Sequence, residues 1–183
     1  MSRQLYSTKQ IMRKYILCFL FIFFSYQISA QYVDRSFFKA GFHVSTTLGD
    51  AVDFANLGIG LDLYQHWGIS KKIDVGFATG VQYYFGLDST IDIGPEAITT
   101  RGEDTIYLPL AGLFRFYPTK SINLGGDIGY AIGLNDFTEG GFYYRPTLSF
   151  DLSPSSALNF SYSAVEGDGG TWTSITGGVI IRF

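Results

Sequence analysis

The two histidines, His43 and His66, are the side chains best suited to acid–base or metal chemistry, and both fall on the polar face of alternating segments. A lipid hydrolase would need a serine, a histidine and an acid in one relay. His43 and Ser45 lie two residues apart, and neighbours on one face of a strand rarely form such a relay. A metal site would need two or three converging ligands, for example with Asp62. We therefore interpret both histidines as hydrogen-bonded filler and predict no catalytic residue, metal site or cofactor.

Eight charged residues occupy the same polar face of their segments as the histidines. They are four cations and four anions: Lys39, Arg115, Arg145 and Arg182, with Asp62, Asp74, Asp127 and Asp151. An unpaired charge enclosed in a protein interior costs several kcal/mol, so we expect these groups to pair. The pattern predicts a ladder of salt bridges that fills the interior and blocks a continuous water channel.

The elements that must position these charges are strands, because the chain beyond residue 30 repeats apolar residues every second position and shows no 3.6-residue period. The repeat predicts eight strands, at 37–47, 57–67, 73–85, 105–117, 122–134, 142–152, 158–164 and 172–183. Tight turns are predicted at 70–72, 118–121 and 154–156, and longer connections at 48–56, 87–104, 135–141 and 165–171. Short turns that alternate with long loops favour an all-β, up-and-down antiparallel barrel, whose closure leaves no exposed strand edge.

The apolar face of these strands is predicted to point outward, into a bilayer. The opposite face is rich in Gly, Ala and Ser, which suits the narrow interior of an eight-stranded barrel. The strands have the length that a tilted transmembrane strand needs, and aromatic residues lie near their ends. The alternative is a secreted, lipocalin-like ligand carrier with its apolar face turned inward.

The first thirty residues differ from the rest. Arg3, Lys9, Arg13 and Lys14 precede a short apolar run at 15–24, and Ala30 ends a more polar segment. This arrangement is typical of a cleaved secretory signal peptide, although a membrane anchor helix is the alternative. We predict a signal peptide over 1–30 and a single barrel domain over 31–183. Removal would leave 9 basic and 16 acidic residues and no cysteine, since Cys18 is the only one.

Composition excludes two classes of protein. The chain has 183 residues, of which 46% are hydrophobic and 16% charged, whereas a disordered chain needs low hydrophobicity and high net charge. The formal net charge is −3 and the basic residues are scattered, so we expect no nucleic-acid partner.

The long connections carry most of the acidic residues. Eleven of the 16 lie there: Asp50, Asp53, Asp88, Asp92, Glu96, Glu103, Asp104, Asp136, Glu139, Glu166 and Asp168, with Arg101 as the only cation. The short turns carry Lys71, Lys72 and Lys120. The acidic loops could bind a basic partner or the divalent cations that bridge lipopolysaccharide, or could only keep the surface soluble. The length of loop 87–104 marks it as functional or mobile.

Two runs and the chain end carry a family resemblance. Residues 106–110 (IYLPL), 113–117 (LFRFY) with the turn 118–121, and the strand 125–133 resemble the small outer-membrane β-barrel family of Gram-negative bacteria. That family, of OmpX-like size, is often labelled "outer-membrane protein β-barrel domain" or "porin family". The terminal GVIIRF, ending in Phe183, is similar to the strand that the barrel-assembly machinery is understood to recognise.

The resemblance implies an outer-membrane location, with membrane lipids, lipopolysaccharide and the assembly machinery as partners, and it brings no shared catalytic motif. The function expected is a structural or surface-interaction role through the acidic loops, with an unknown surface partner. A narrow channel for small solutes and, less favoured, a lipid-modifying enzyme are the alternatives.

Overall fold

The computed structural model describes residues 36–93, 96–100 and 102–183. Its elements are ten strands and one short 3₁₀ helix. The strands are β1 (Ser36–Leu48), β2 (Ala55–Ser70), β3 (Ile73–Gly86), β4 (Ser89–Ile93), β5 (Glu96–Thr100), β6 (Thr105–Phe116), β7 (Ile122–Gly133), β8 (Gly141–Ser153), β9 (Ser156–Gly167) and β10 (Gly170–Arg182). The helix spans Gly49–Asp53. The predicted signal peptide lies outside the described residues and stays a prediction.

Eight of these strands form a closed antiparallel barrel in the order β1-β10-β9-β8-β7-β6-β3-β2. The first and last strands close it, with Phe42 opposite Val179 and Lys39 opposite Arg182. The prediction of eight strands in an up-and-down barrel is therefore confirmed. Barrel strands of 12 to 16 residues are long enough to cross a bilayer at a tilt. No helix among the described residues is long and apolar enough to span a membrane.

Two of the predicted loops are more regular than expected. In place of a long connection over 165–171, β9 and β10 stay paired as far as Gly167 and Gly170, so only Asp168 and Gly169 form the turn. Gly170 has a φ of 133°, a conformation that glycine adopts without strain. Connection 87–104 holds the separate two-stranded sheet β4–β5. Alternation is weak in both segments, so the sequence pattern did not separate strand from loop.

The apolar face points away from the barrel interior, as predicted. Phe77, Ile128 and Leu61 are 66%, 62% and 61% exposed, although each lies within a barrel strand. The interior residues Asp74 and Arg145 are at most 1% exposed. This arrangement is the reverse of a soluble ligand carrier, so the lipocalin-like alternative is wrong.

Aromatic side chains form two belts on the outer surface. Near the ends joined by long loops, the ring centroids of Tyr83 and Phe85 lie 5.0 Å apart, and those of Phe142 and Tyr144 lie 6.1 Å apart. Near the tight turns, Phe38 contacts Phe183 at 6.3 Å and Phe150 contacts Phe160 at 6.4 Å; Trp67 and Phe77 pack edge to face. Aromatic girdles flanking an apolar band are typical of transmembrane barrels, because amphipathic rings favour the membrane interface.

Candidate functional site

The centre of the barrel interior is a cluster built around Asp62 on β2. Its two carboxylate oxygens accept from Arg145 Nη1 on β8 and from His43 Nδ1 on β1, both at 2.8 Å. Arg145 Nε also donates to Ser161 Oγ at 2.8 Å. All four side chains are buried. The cluster therefore joins strands on opposite sides of the barrel through charge-assisted hydrogen bonds, which are the stronger kind.

A second ion pair lies in the half of the interior nearer the tight turns. Arg115 Nη2 lies 2.7 Å from Asp127 Oδ1, and Arg115 Nη1 donates to the carbonyls of Phe114 and Gly126, both at 3.0 Å. The guanidinium also lies over the ring of Tyr64, at 5.7 Å. These partners together compensate for the cost of burying an arginine.

Glycines give the large interior side chains their space. A Cβ on Gly60 would collide with the imidazole of His43, and a Cβ on Gly125 would lie 2.6 Å from Cδ of Arg115. The Gly-rich composition of the polar face thus reflects small residues placed opposite large ones, as a narrow barrel requires.

A layer of tyrosines and serines fills the interior nearer the long loops. Ser174 Oγ lies within hydrogen-bond distance of Tyr84 OH, at 2.9 Å, and of Ser163 Oγ, at 2.8 Å. Gln82 Nε2 reaches Tyr143 OH at 3.4 Å. These residues were absent from the predicted polar network because that network comprised only charged residues and histidines. Their position on the same face as Asp74 and Arg145 was the available signal.

The turn end of the barrel, defined by residues 71–72, 118–121 and 154–155, departs from the predicted ladder. There, Lys39, Asp151 and Arg182 form no ion pair with any described residue. Instead, the ring of Phe37 stacks on His66 at 4.7 Å and lies under the guanidinium of Arg182 at 4.0 Å. The described residues thus form two interior arginine–aspartate pairs, fewer than the four pairs that the predicted ladder would contain. The charges at the open turn end need no such partner, because water can hydrate them.

His66 and Asp74, both predicted to face the interior, lie close together but are not in ideal hydrogen-bond geometry. His66 Nδ1 is 3.6 Å from Asp74 Oδ2, and both side chains are buried. A cavity of about 420 Å³ opens nearby at the turn end, lined by Lys39, Lys71, Lys72, Lys120 and Arg182 together with Asp74 and Asp151. This end is therefore basic.

The opposite, loop end comprises, among the described residues, the segments 49–54, 87–93, 96–100, 102–104, 134–140 and 168–169. Its mouth contains a cavity of about 670 Å³ whose rim carries Asp50, Asp53, Glu103, Asp136 and Glu139. The aromatic rings of Tyr84, Tyr107 and Trp172 meet beneath it, with centroids 5.2 to 6.5 Å apart. Glu166, predicted to be in a loop, lies on β9 instead.

Among the described residues, the side chains considered from the sequence for hydrolysis or metal binding are not arranged for either chemistry. His43 bonds to Asp62, but Ser45 Oγ, which is also buried, has no hydrogen-bond partner among the described residues, so the two do not form a relay. Within that same part of the chain, no group of three or more His, Cys, Asp or Glu side chains is arranged to hold a metal ion.

Comparison with known proteins rests on solved structures, since no protein-family model and no curated protein matches the chain. One similar structure is the Yersinia pestis outer membrane protein Ail in a phospholipid nanodisc, at 14% identity and TM-score 0.55, covering 81% of this chain and 100% of that one. The chain has the fold of a small outer-membrane β-barrel.

Two further structures agree with this fold. Ail in complex with the heparin analogue sucrose octasulfate is 16% identical, with TM-score 0.54, and covers 81% of this chain and 97% of that one. A designed transmembrane β-barrel is 8% identical, with TM-score 0.51, and covers 84% and 100%. At such low identity the likeness concerns the path of the strands, and the interior and loop residues have to be interpreted by themselves.

Proposed function

We propose that this protein is a non-conducting, non-enzymatic barrel of the outer membrane that presents its acidic loop end at the cell surface for a structural or interaction role. The observation that carries the proposal is the ion-paired interior beneath an acidic mouth. The interior gives the barrel rigidity and fills it, and the mouth leaves one end free for contact.

A filled interior argues against a channel. The side chains of Arg145, Tyr64, Tyr84 and Tyr143 are each at most 2% exposed and come from three different strands, β8, β2 and β3. Any continuous water path would have to pass these side chains and separate Arg145 from Asp62. Separating a buried ion pair leaves uncompensated charges, which makes spontaneous opening unfavourable.

The charge of the loop end favours positively charged partners. Its rim acids are exposed, while the lysines of the tight turns lie at the other end. In the structural role, divalent cations would bridge these acids to lipopolysaccharide. In the interaction role, the acids would bind a basic partner at the cell surface. Ail was crystallised with a polyanion, a ligand that the acidic rim of this chain would repel.

Export and insertion belong to the same proposal. Residues 1–30 would direct secretion and be removed, and the assembly machinery would recognise the terminal strand. Phe183 is suited to that role, because its ring is 74% exposed while its backbone N–H donates to the carbonyl of Phe38 at 2.9 Å.

Planar bilayer recordings test the filled interior. We expect purified wild-type barrel to give no single-channel steps, whereas a positive control porin in the same bilayer should conduct. Regular steps from wild-type protein would support the channel alternative and overturn the proposal.

Capture experiments test the charge of the loop end. Barrels in nanodiscs should bind a polylysine-coated surface in a salt-sensitive manner, because salt screens exposed charges. The paired change Asp50→Asn and Asp53→Asn should reduce capture, while the matched change Lys72→Gln and Lys120→Gln at the turn end should not. No capture on polylysine, or capture that the loop-end changes leave intact, would contradict the proposal.

A further inference from the structure

The loop-end cavity combines negative charge with apolar walls. We call it the vestibule and define it by the rim acids named above, the apolar residues Phe54, Leu87, Phe137 and Val165, and the rings of Tyr107 and Trp172. Its volume of about 670 Å³ falls within the range of ligand sites. A mixed lining of this kind suits a ligand that is itself both charged and apolar.

The rim acids are available to a ligand. All five are exposed. Among the described residues, one hydrogen bond reaches these acids, from Gly169 N–H to Glu139 Oε2 at 3.1 Å. Among the described residues that line the vestibule there is no lysine or arginine. Several carboxylates without a counter-charge at the mouth of a low-dielectric cavity attract cations.

The floor adds a second, independent feature. Tyr107 is 5% exposed and lines the vestibule, and its hydroxyl makes no hydrogen bond to any described residue. Beside it, the indole Nε1–H of Trp172 is buried without a hydrogen-bond partner among the described residues. Buried polar groups are normally partnered, so a carbonyl of a peptide entering the vestibule would satisfy this N–H, and the Tyr107 hydroxyl can accept from a cation. Trp172 packs against Tyr107 at 6.2 Å, and the faces of such rings attract cations.

We propose that the vestibule binds a lysine or arginine side chain of an amphipathic cationic peptide, whose apolar residues pack on Phe54, Leu87 and Phe137. The rim acids attract the cation, and the Tyr107 hydroxyl and the aromatic rings complete the site. This inference rests on the proposed function, because it names the partner class for the same loop end. A hydrated divalent cation fits less well, since it would leave the apolar walls without a partner.

Fluorescence of Trp172 provides the test, because the chain has only two tryptophans. In nanodiscs, a barrel with Trp67→Phe should show a saturable change when titrated with a hexapeptide of alternating arginine and leucine. A glutamate–leucine hexapeptide and magnesium chloride should cause no such change.

Variants locate the site. Tyr107→Phe should weaken binding by about two- to tenfold, the effect of one hydrogen bond. Asp136→Asn with Glu139→Gln should weaken it by about tenfold. Asp168→Asn is the matched control, because Asp168 belongs to the loop end but does not line the vestibule; it should leave binding unchanged. Mobility shift on a gel verifies that each variant is folded.

Three results would overturn this inference: equal weakening by Asp168→Asn, the same saturable change with magnesium, or no response of Trp172. If Trp172 is silent while capture on polylysine persists, the vestibule site is wrong and the proposed function stands. If capture is also lost, the proposed function is wrong as well.

Discussion

At the scale of single residues, Arg145 connects two sides of the interior network. It bonds to Asp62 on the far side of the barrel and to Ser161 on the neighbouring strand. Asp62 in turn accepts from His43. Removing one member of a buried ion pair is far more costly than replacing both, because the other charge remains enclosed without a partner.

Arg145→Met should therefore lower the free energy of unfolding by about 3–5 kcal/mol. Urea unfolding in phospholipid vesicles, followed by the mobility shift of folded barrel, measures this change. Arg182→Met is the control, because Arg182 is exposed at the turn end and should change stability little. Equal stability of wild type and Arg145→Met would show that the ion pair is not important to the barrel.

At the scale of elements, each barrel strand has one face toward the apolar exterior and the other toward the polar interior. On β7, Ile128 faces outward and is 62% exposed, while its neighbour Asp127 is buried and paired with Arg115. Alternation places them on opposite faces of the sheet, so a register shift by one residue would expose the charges to lipid. The interior ion pairs thus fix the register that the outer apolar belt also requires.

The outer face should show a depth-dependent tolerance of charge. Ile128→Arg, at the middle of β7, should cost about 2–4 kcal/mol, whereas Leu152→Arg, at the turn end of β8, should cost about 0–1 kcal/mol. The same vesicle unfolding assay compares the two variants. Similar costs at both positions would mean that the outer surface does not contact a hydrocarbon layer.

At the scale of the whole molecule, the two ends of the barrel carry opposite charge. The loop end carries the acidic vestibule and the turn end a cavity lined by five lysine and arginine side chains. Such an asymmetry gives the barrel a direction in the membrane. Our proposal places the loop end outside the cell, with both chain termini on the periplasmic side.

Cysteine labelling can determine this direction, since Cys18 is the only natural cysteine and lies in the segment expected to be removed. Asp168→Cys at the loop end should react with a membrane-impermeant maleimide on intact cells. Lys120→Cys at the turn end should react only after the cells are broken. The opposite pattern would require the barrel to be inserted the other way.

The amino-acid sequence by itself determined the strand period, the number of barrel strands and the face that meets lipid. These properties follow from alternation, which is local and can be counted along the chain. The turn at Asp168–Gly169 and the hairpin in 87–104 could not be found in this way, because polar loop residues and exposed strand residues have similar composition.

Only the tertiary structure decided which charges pair. Asp127 on β7 is the direct register partner of Arg145 on β8, and a sequence pattern would join these two. Instead, Asp127 pairs with Arg115 and Arg145 reaches across the interior to Asp62. Closure of the sheet brings distant strands face to face and the stagger of the strands sets their relative height. The same closure gathers loops from separate parts of the chain into the vestibule.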